Sequence, residues 1–212
     1  MIEIIPAILP KSFKELEEGL EHLQGVAPTV QVDLVGTNIL AGHEAFPFWE
    51  EFDFECDVML ANPAQEMRHC VDSGASRIVV HADAADAHEA LETLQELRGG
   101  SLPLLVGVAL TSNDTKETLT LHEGLYDFVQ VMGIANVGHQ GQPFDENCLA
   151  LIAQLRAAHP DLIIQVDGAV TLERVRVLVE AGANRLVVGS AIMHAQNPSD
   201  VYKALYTEAN AQ

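Results

Sequence analysis

Carboxylates and small residues at the ends of apolar runs are the features of this sequence that could do chemistry. The clearest case lies between Leu162 and Met193: an apolar-rich run, Leu162 to Val166, ends on Asp167 and Gly168, and an amphipathic segment, Leu172 to Ala181, follows. Gly182 then leads to a second run, Arg185 to Val188, which ends on Gly189, Ser190 and Ala191. This reads as strand, helix, strand, and nearly continuous Val, Ile and Leu suit parallel strands buried on both faces. The carboxyl ends of adjacent parallel strands are where α/β barrels keep catalytic acids and phosphate sites. By the same reading, Gln31 and Asp33 share one face of Val30 to Val35, and Asp57 and Met59 one face of Phe54 to Leu60. His81 and Asp83 end the run Arg77 to His81, and Met132 ends Phe128 to Met132. Asp is depleted in strand interiors, so Asp33, Asp57 and Asp167 within apolar runs call for a reason. Turn capping could account for any one of them; it accounts poorly for all three, which would converge on one mouth if the strands close into a barrel.

A phosphate cradle is the second candidate feature. Gly168 and Ala169, with Gly189 and Ser190, fit the anion site that barrels form beyond strands seven and eight, and Gly138 and Gly141 lie in the loop before. Small side chains let backbone N–H groups reach an anion, and Ser190 adds a hydroxyl. Local construction is required, because 31 acidic residues against 11 basic give a net charge of −20. That charge opposes nucleic acid and anionic membranes as partners, and leaves backbone N–H groups and helix N-termini as the main anion donors. Cys56, Cys70 and Cys148 form no CxxC pair and read as buried structural thiols in a reducing compartment. No apolar run approaches the roughly 18 residues that span a bilayer, and the start MIEIIPAIL has no basic leader, so the expectation is a soluble cytoplasmic protein.

The elements that must position these residues follow in order. Ile2 to Leu9 is a strand; Ser12 with Glu15 signals a helix to about Gln24, with Phe13, Leu16, Leu20 and Leu23 at helical spacing. After the second strand, residues 36–52 read as a long loop with a short helix, and Asn62-Pro63 opens a helix ended by Gly74. Asp86 to Leu97 is a helix stopped by Gly99-Gly100; Leu104 to Leu110 is a strand, and Asn113-Asp114 with Glu117 signal the next helix. A loop from Gly133 to Pro143 precedes a helix from about Asp145 to Ala158, and Pro198 to Ala209 forms the last helix. Eight strands alternating with about eight helices, at roughly 26 residues per unit, indicate one TIM-barrel domain over residues 1–212, a (β/α)₈ α/β fold. An open doubly wound sheet would show a glycine fingerprint after its first strand, and Pro6 to Lys11 has no glycine.

Several segments together resemble the ribulose-phosphate 3-epimerase family, a group of ribulose-phosphate-binding barrels. They run almost end to end: PAIL, VQVDLV, Asp57-Val58-Met59 followed by Asn62-Pro63, RIVVHAD, GVAL, FVQVM, GQPF, IQVDGAV and AGANRLVVGSAI. The resemblance implies metal-assisted 1,1-proton transfer at C3 of D-ribulose 5-phosphate, giving D-xylulose 5-phosphate in carbohydrate metabolism, with Asp33 and Asp167 as acid and base. It also implies a homo-oligomer of unspecified number. The sequence departs from the family where His ligands are replaced by Gln31 and Asp57, where Ala7 replaces a serine, and where Val35-Gly36-Thr37 replaces Met-Asp-Gly. The glycine-rich loop is stretched to NVGHQGQ, Asn136 to Gln142, and Gly168-Ala169 replaces a glycine pair.

An ordinary Asp, with a pKa of about 3.9, is a poor base for a carbon acid and needs desolvation or a neighbouring charge. Met59, Met132 and Val166 could desolvate the pair, and Asp57 could repel it. No Lys or Arg ends a strand at the mouth, which argues for a metal as partner to the enediolate. The Gln31 oxygen with Asp33, Asp57 and Asp167 would form an all-oxygen set, favouring Mg²⁺ or Mn²⁺ over Zn²⁺ or Fe²⁺. His81 reads first as a strand-end His satisfied by backbone and second as a ligand or proton partner; His139 reads as a solvated loop residue able to close over substrate. Competing functions are another phosphosugar isomerase, aldolase or decarboxylase of this barrel group, and a catalytically inactive phosphosugar-binding paralogue. Asp33-Leu34-Val35 lacks the lysine of the Asp-x-Lys-x-x-Asp strand used by the synthase and decarboxylase branch.

Overall fold

A computed structural model describes residues 1–99, 103–139 and 141–211, so Gly100 of the expected helix stop and Gln140 of the stretched loop lie outside the described residues. Eight parallel strands close on themselves in sequence order: β1 (Glu3–Ile8), β2 (Thr29–Val35), β3 (Asp53–Met59), β4 (Ala75–His81), β5 (Leu105–Leu110), β6 (Phe128–Met132), β7 (Ile163–Asp167) and β8 (Arg185–Val188). Around them lie α1 (Phe13–Leu23), α2 (Met67–Asp72), α3 (Ala87–Leu97), α4 (Lys116–Thr120), α5 (Asn147–Ala158), α6 (Leu172–Ala181), α7 (Ser190–Met193) and α8 (Pro198–Ala209). This is the (β/α)₈ barrel that the strand–helix alternation predicts.

Local chemistry explains most boundaries. The Ser12 hydroxyl accepts the Glu15 N–H at 3.2 Å, while the Glu15 carboxylate accepts the Lys11 N–H at 2.9 Å, so the start of α1 is tied from both sides. Leu16, Leu20 and Leu23 then lie fully buried on one stripe, each removing enough apolar surface to stabilise the fold by roughly 1.5–3 kcal/mol. The helix expected from Asn62-Pro63 begins as a tight 3₁₀ turn, Pro63–Glu66, before becoming α2. The four-residue α7, seated on the Gly189–Ser190 turn, is an element the sequence does not announce.

Residues 36–52 correct an expectation: they contain turns and bends but no helix. Gly42 adopts φ 87° and Phe48 φ 57°, both incompatible with a continuing right-handed helix. Apolar packing replaces the missing helix. Leu40 and Phe46 are buried, and the Phe46 ring stacks on Phe54 of β3 at 4.1 Å between centroids.

Side chains alternate across every strand, and the two faces are chemically different. Outward residues such as Val32, Leu34, Cys56, Val58, Ile78 and Val80 form the main apolar core against the helices. Inward positions hold two small apolar clusters, Ile5 with Ala7 and Val187, and Val79 with Ala109, Phe128 and Met132. Between and around these, the barrel axis is polar. Register pairs Gln31 with Glu55 and Gln130 with Gln165, and one step further along it pairs Asp33 with Asp57 and Met132 with Asp167.

The seam between β1 and β8 is secured from outside. The Asn210 side chain accepts the Ile2 N–H at 2.7 Å and donates to the Ile2 carbonyl at 3.1 Å, linking positions 208 residues apart. At the opposite end of the strands, the Gly133 N–H donates to the Asp167 carbonyl at 2.6 Å, extending the β6–β7 pairing to the edge of the mouth. A Cβ at Gly133 would overlap the Gly168 carbonyl oxygen, a backbone atom that no rotamer change can move. Gly133→Ala should therefore cost about 1–3 kcal/mol and lower the melting temperature by roughly 2–10 °C in a circular-dichroism melt; an unchanged melting temperature would contradict this packing.

Candidate active site

The carboxyl ends of β2, β3 and β7 bring Asp33, Asp57 and Asp167 together: one oxygen from each lies within 4.8 Å of the others, and all three are buried. Gln31 joins two of them, its Nε2 donating to Asp33 Oδ1 at 2.7 Å and to Asp167 Oδ2 at 3.1 Å. The reverse amide orientation would set an oxygen against two carboxylates, so the network holds Gln31 with its nitrogen forward. Asp57 is engaged on both oxygens, by His81 Nε2 at 2.8 Å and by Gln130 Nε2 at 2.7 Å. His81 thus takes a carboxylate partner instead of the backbone carbonyl expected of it.

Beneath this layer sits a second polar tier that the sequence analysis does not anticipate. Gln165 Nε2 lies 2.6 Å from Glu55 Oε1, 2.7 Å from Gln130 Oε1 and 3.4 Å from Gln31 Oε1, tying all four residues to one centre. Lower still, Glu3 receives Arg77 and Arg185, each at 3.0 Å, and Arg77 lies 4.0 Å from Glu55. The signal is nonetheless present: Gln and Glu alternating with Val, Ile and Cys in VQV, ECD, FVQ and IQV mark an inward polar face.

Burial sets the electrostatics. Loss of solvent raises Asp33 well above the ordinary carboxyl range, and Asp167 and Asp57 push it further, against the hydrogen bond from Gln31. Burial, then Asp57, lifts Asp167 to about 7, with Gln31 and His81 pulling the other way. Glu55 is likewise pushed up to about 7 by burial, opposed chiefly by Arg77. Burial alone would depress His81, but the Asp57 charge and hydrogen bond outweigh it and leave it above its ordinary value. A cluster with this much uncompensated negative charge fits a divalent cation, since three convergent carboxylates supply the hard oxygen donors such an ion takes.

Above the cluster opens a cavity of about 210 Å³. Its wall contains Asp33 and Asp167 together with Met59, Met132, Gly138, Gly141, Gly168, Ala169, Gly189 and Ser190, so the residues expected to transfer protons and those expected to cradle an anion face one space. Gln31 and Asp57 lie below it, fully buried. His139 is exposed on the rim and makes a 3.1 Å contact with the Val137 carbonyl, while Asp83 is exposed and outside the lining. Ala169 adopts φ 53°, in the left-handed region that favours glycine. The wall also includes Arg174, which no inspection of strand ends could find because it reaches in from the first turn of α6.

The raised carboxyls have a consequence for stability. A buried acid whose pKa is higher in the folded chain stabilises the fold only while protonated, so its contribution is complete below about pH 4 and is lost as pH rises to about 7. In a chelator, Asp167→Asn should therefore raise the melting temperature at pH 8, by at most about 4 kcal/mol of stability, and change it little at pH 4. An equal effect at both pH values would show that Asp167 is ionised throughout.

Comparison with known proteins agrees with the geometry. The ribulose-phosphate 3 epimerase family model matches residues 3–193. Ribulose-phosphate 3-epimerase from Schizosaccharomyces pombe is 34% identical over 156 residues, 74% of this chain and 66% of that protein. The Bacillus subtilis protein of the same name is 28% identical over 206 residues, covering 91% of this chain and 92% of its own. Among solved structures, KGPDC from Streptococcus mutans superposes with a TM-score of 0.74 at 12% identity, covering 99% of this chain and 97% of that one. The 3-hexulose-6-phosphate synthase from Salmonella typhimurium gives 0.70 at 15%, covering 98% of each chain. At such identities the two structures speak to the fold alone. The match over residues 3–193 makes this chain a member of the ribulose-phosphate 3-epimerase family.

Proposed function

We propose that this chain interconverts D-ribulose 5-phosphate and D-xylulose 5-phosphate by moving a proton on and off C3, with Asp33 and Asp167 as the two acid–base groups. The observation that carries this reading is their pairing: both are buried, both accept from the one Gln31 amide, and both line the cavity that holds Gly168, Gly189 and Ser190. The names of the S. pombe and B. subtilis relatives supply the substrate and reaction class.

A 1,1-proton transfer begins with one carboxyl ionised and its partner protonated. Burial and mutual repulsion favour that arrangement, because two anions so close in low dielectric resist ionising together, and a group near 7 is matched to work at neutral pH. The ionised carboxylate takes the C3 proton, leaving an enediolate; the protonated partner returns a proton to the other face of C3. Each turnover exchanges the protonation states of the pair, so the enzyme is reset by the reverse reaction or by exchange with solvent. Met59 and Met132 keep the reacting carbon dry, and Gln31 holds the two carboxyls as a pair instead of giving its oxygen to a metal.

A divalent cation held by Asp33, Asp57 and Asp167 would offset the negative charge that develops on the enediolate oxygens. With Gln31 turned nitrogen-forward, the donor set is carboxylate oxygen, which suits Mg²⁺ or Mn²⁺. His81 and Gln130 would orient Asp57 as outer partners.

Incubating the protein with D-ribulose 5-phosphate in deuterium oxide, with and without Mg²⁺, Mn²⁺, Zn²⁺ or Fe²⁺, should put label at C3 and yield D-xylulose 5-phosphate. Asp33→Asn and Asp167→Asn should each slow turnover by roughly 10²–10⁴-fold. Neither label nor product under any metal would sink the epimerase assignment, and tight sugar-phosphate binding without exchange would point to a binding protein. Titration calorimetry with Mn²⁺ should show weaker binding by Asp57→Asn; unchanged affinity would remove Asp57 from the donor set.

A further inference from the structure

We infer that Arg174 is the residue through which this chain recognises the phosphate of its sugar, a side-chain contact added to a cradle of backbone N–H groups. The inference rests on the proposed reading of the cavity as a phosphosugar site and names the group that would set its preference for phosphorylated over neutral sugars.

Four observations lead there. Arg174 lines the cavity whose wall also includes Ala169, Thr171 and Ser190, and it contacts the first two. Among the described residues it has no carboxylate within 4.0 Å, although this chain carries 31 acidic residues to 11 basic ones and six other cationic side chains, Lys14, Arg77, Arg98, Lys116, Arg176 and Arg185, have one. Its protein hydrogen bonds both leave from Nη1, to the Ala169 carbonyl at 3.3 Å and the Thr171 hydroxyl at 3.4 Å, so among the described residues Nε and Nη2 donate to no protein acceptor. Finally, the guanidinium lies over the Phe144 ring at 5.1 Å. Stacking on an aromatic face fixes the plane of a guanidinium while leaving its in-plane N–H fork free, the geometry that binds phosphate oxygens two at a time.

The position makes a purely structural role a poor explanation. A cation in the first turn of a helix opposes the helix dipole. An anion docked beside it reverses that interaction. The cavity also needs such a charge: its wall includes Asp33 and Asp167 of the buried carboxylate cluster, in a strongly acidic chain, and these would repel a sugar phosphate unless a cation offset them. Arg174 also holds the carbonyl of Ala169, the non-glycine residue at φ 53°, and this second contact has to be separated from anion binding by experiment.

The test compares wild type, Arg174→Gln and the double variant Arg174→Gln with Ala169→Gly. Inorganic phosphate binding is read from ³¹P NMR line broadening, which needs no turnover, and kcat/KM is measured for D-ribulose 5-phosphate and for unphosphorylated D-ribulose. Arg174→Gln should weaken phosphate binding roughly 10- to 100-fold and lower kcat/KM for the phosphorylated sugar by a similar factor, leaving the neutral sugar within about twofold. The double variant should stay as weak, because glycine relieves the Ala169 turn but supplies no charge. Recovery in the double variant would overturn the inference and make Arg174 a turn clasp. Equal phosphate binding by wild type and Arg174→Gln, or equal losses for both sugars, would overturn it too. If phosphate binding depends on Arg174 while no epimerase turnover is found, Arg174 stands as the anion residue and the proposed reaction falls.

Discussion

Three carboxyl groups drawn from distant parts of the chain and held out of water in a space a few ångströms wide are the constraint that the rest of this molecule answers. Separately, each would ionise at low pH and seek solvent. Closed into a ring of strands, Asp33, Asp57 and Asp167 are held away from that solvent, and polar side chains take its place around them. Gln31 donates to two of them, His81 and Gln130 to the third. The energetic cost of burying the cluster falls on stability, and the perturbed acidities it creates are what proton transfer at carbon requires.

The polar tier below explains how such a floor keeps its shape. Barrel interiors are ordinarily filled by branched apolar side chains in layers. Here one layer consists of Gln31, Glu55, Gln130 and Gln165, joined through a single amide nitrogen, and it stands on a further layer in which Glu3 draws in Arg77 and Arg185. Inside the barrel the two arginines thus lie at the base, paired with acids, and the three aspartates lie towards the mouth. Hydrogen bonds in a dry interior are strong and directional, so this stack fixes rotamers where apolar contacts would permit sliding.

Much of this is legible in the residues. Period-two alternation marks the inward faces of β2 and β3, and the runs ending in Asp-Gly and Gly-Ser mark the mouth. β6, α6, β8 and α8 span the residues expected of them, because each is bounded by strong local signals such as Gly182 and Pro198. What stays hidden depends on three-dimensional neighbours. Residues 36–52 form no helix, and part of what holds them comes from further along the chain: the Phe46 N–H donates to the Ser73 carbonyl at 3.0 Å, 27 positions on. The direction of the Gln31 amide is decided by Asp167, 136 positions away. Arg174 ends no strand; it belongs to a helix and reaches a wall whose other parts come from several different strands and loops. Glu55, by contrast, is visible as a charged residue between Phe54 and Cys56 and simply invites no chemistry on its own.

The Asn210 clasp on Ile2 has a bearing on how the chain acquires its shape. Contacts between β1 and β8 are the most distant in sequence of any strand pair, so the loop-closure entropy they cost is the greatest, and the ring can be completed only after nearly all other pairings exist. During synthesis an open curved sheet would therefore precede the barrel, with the edges of its first and latest strands unpaired. Helix α8, which follows β8 in the chain, acts as the latch on that seam, and until it docks the acidic floor has one side still open to water.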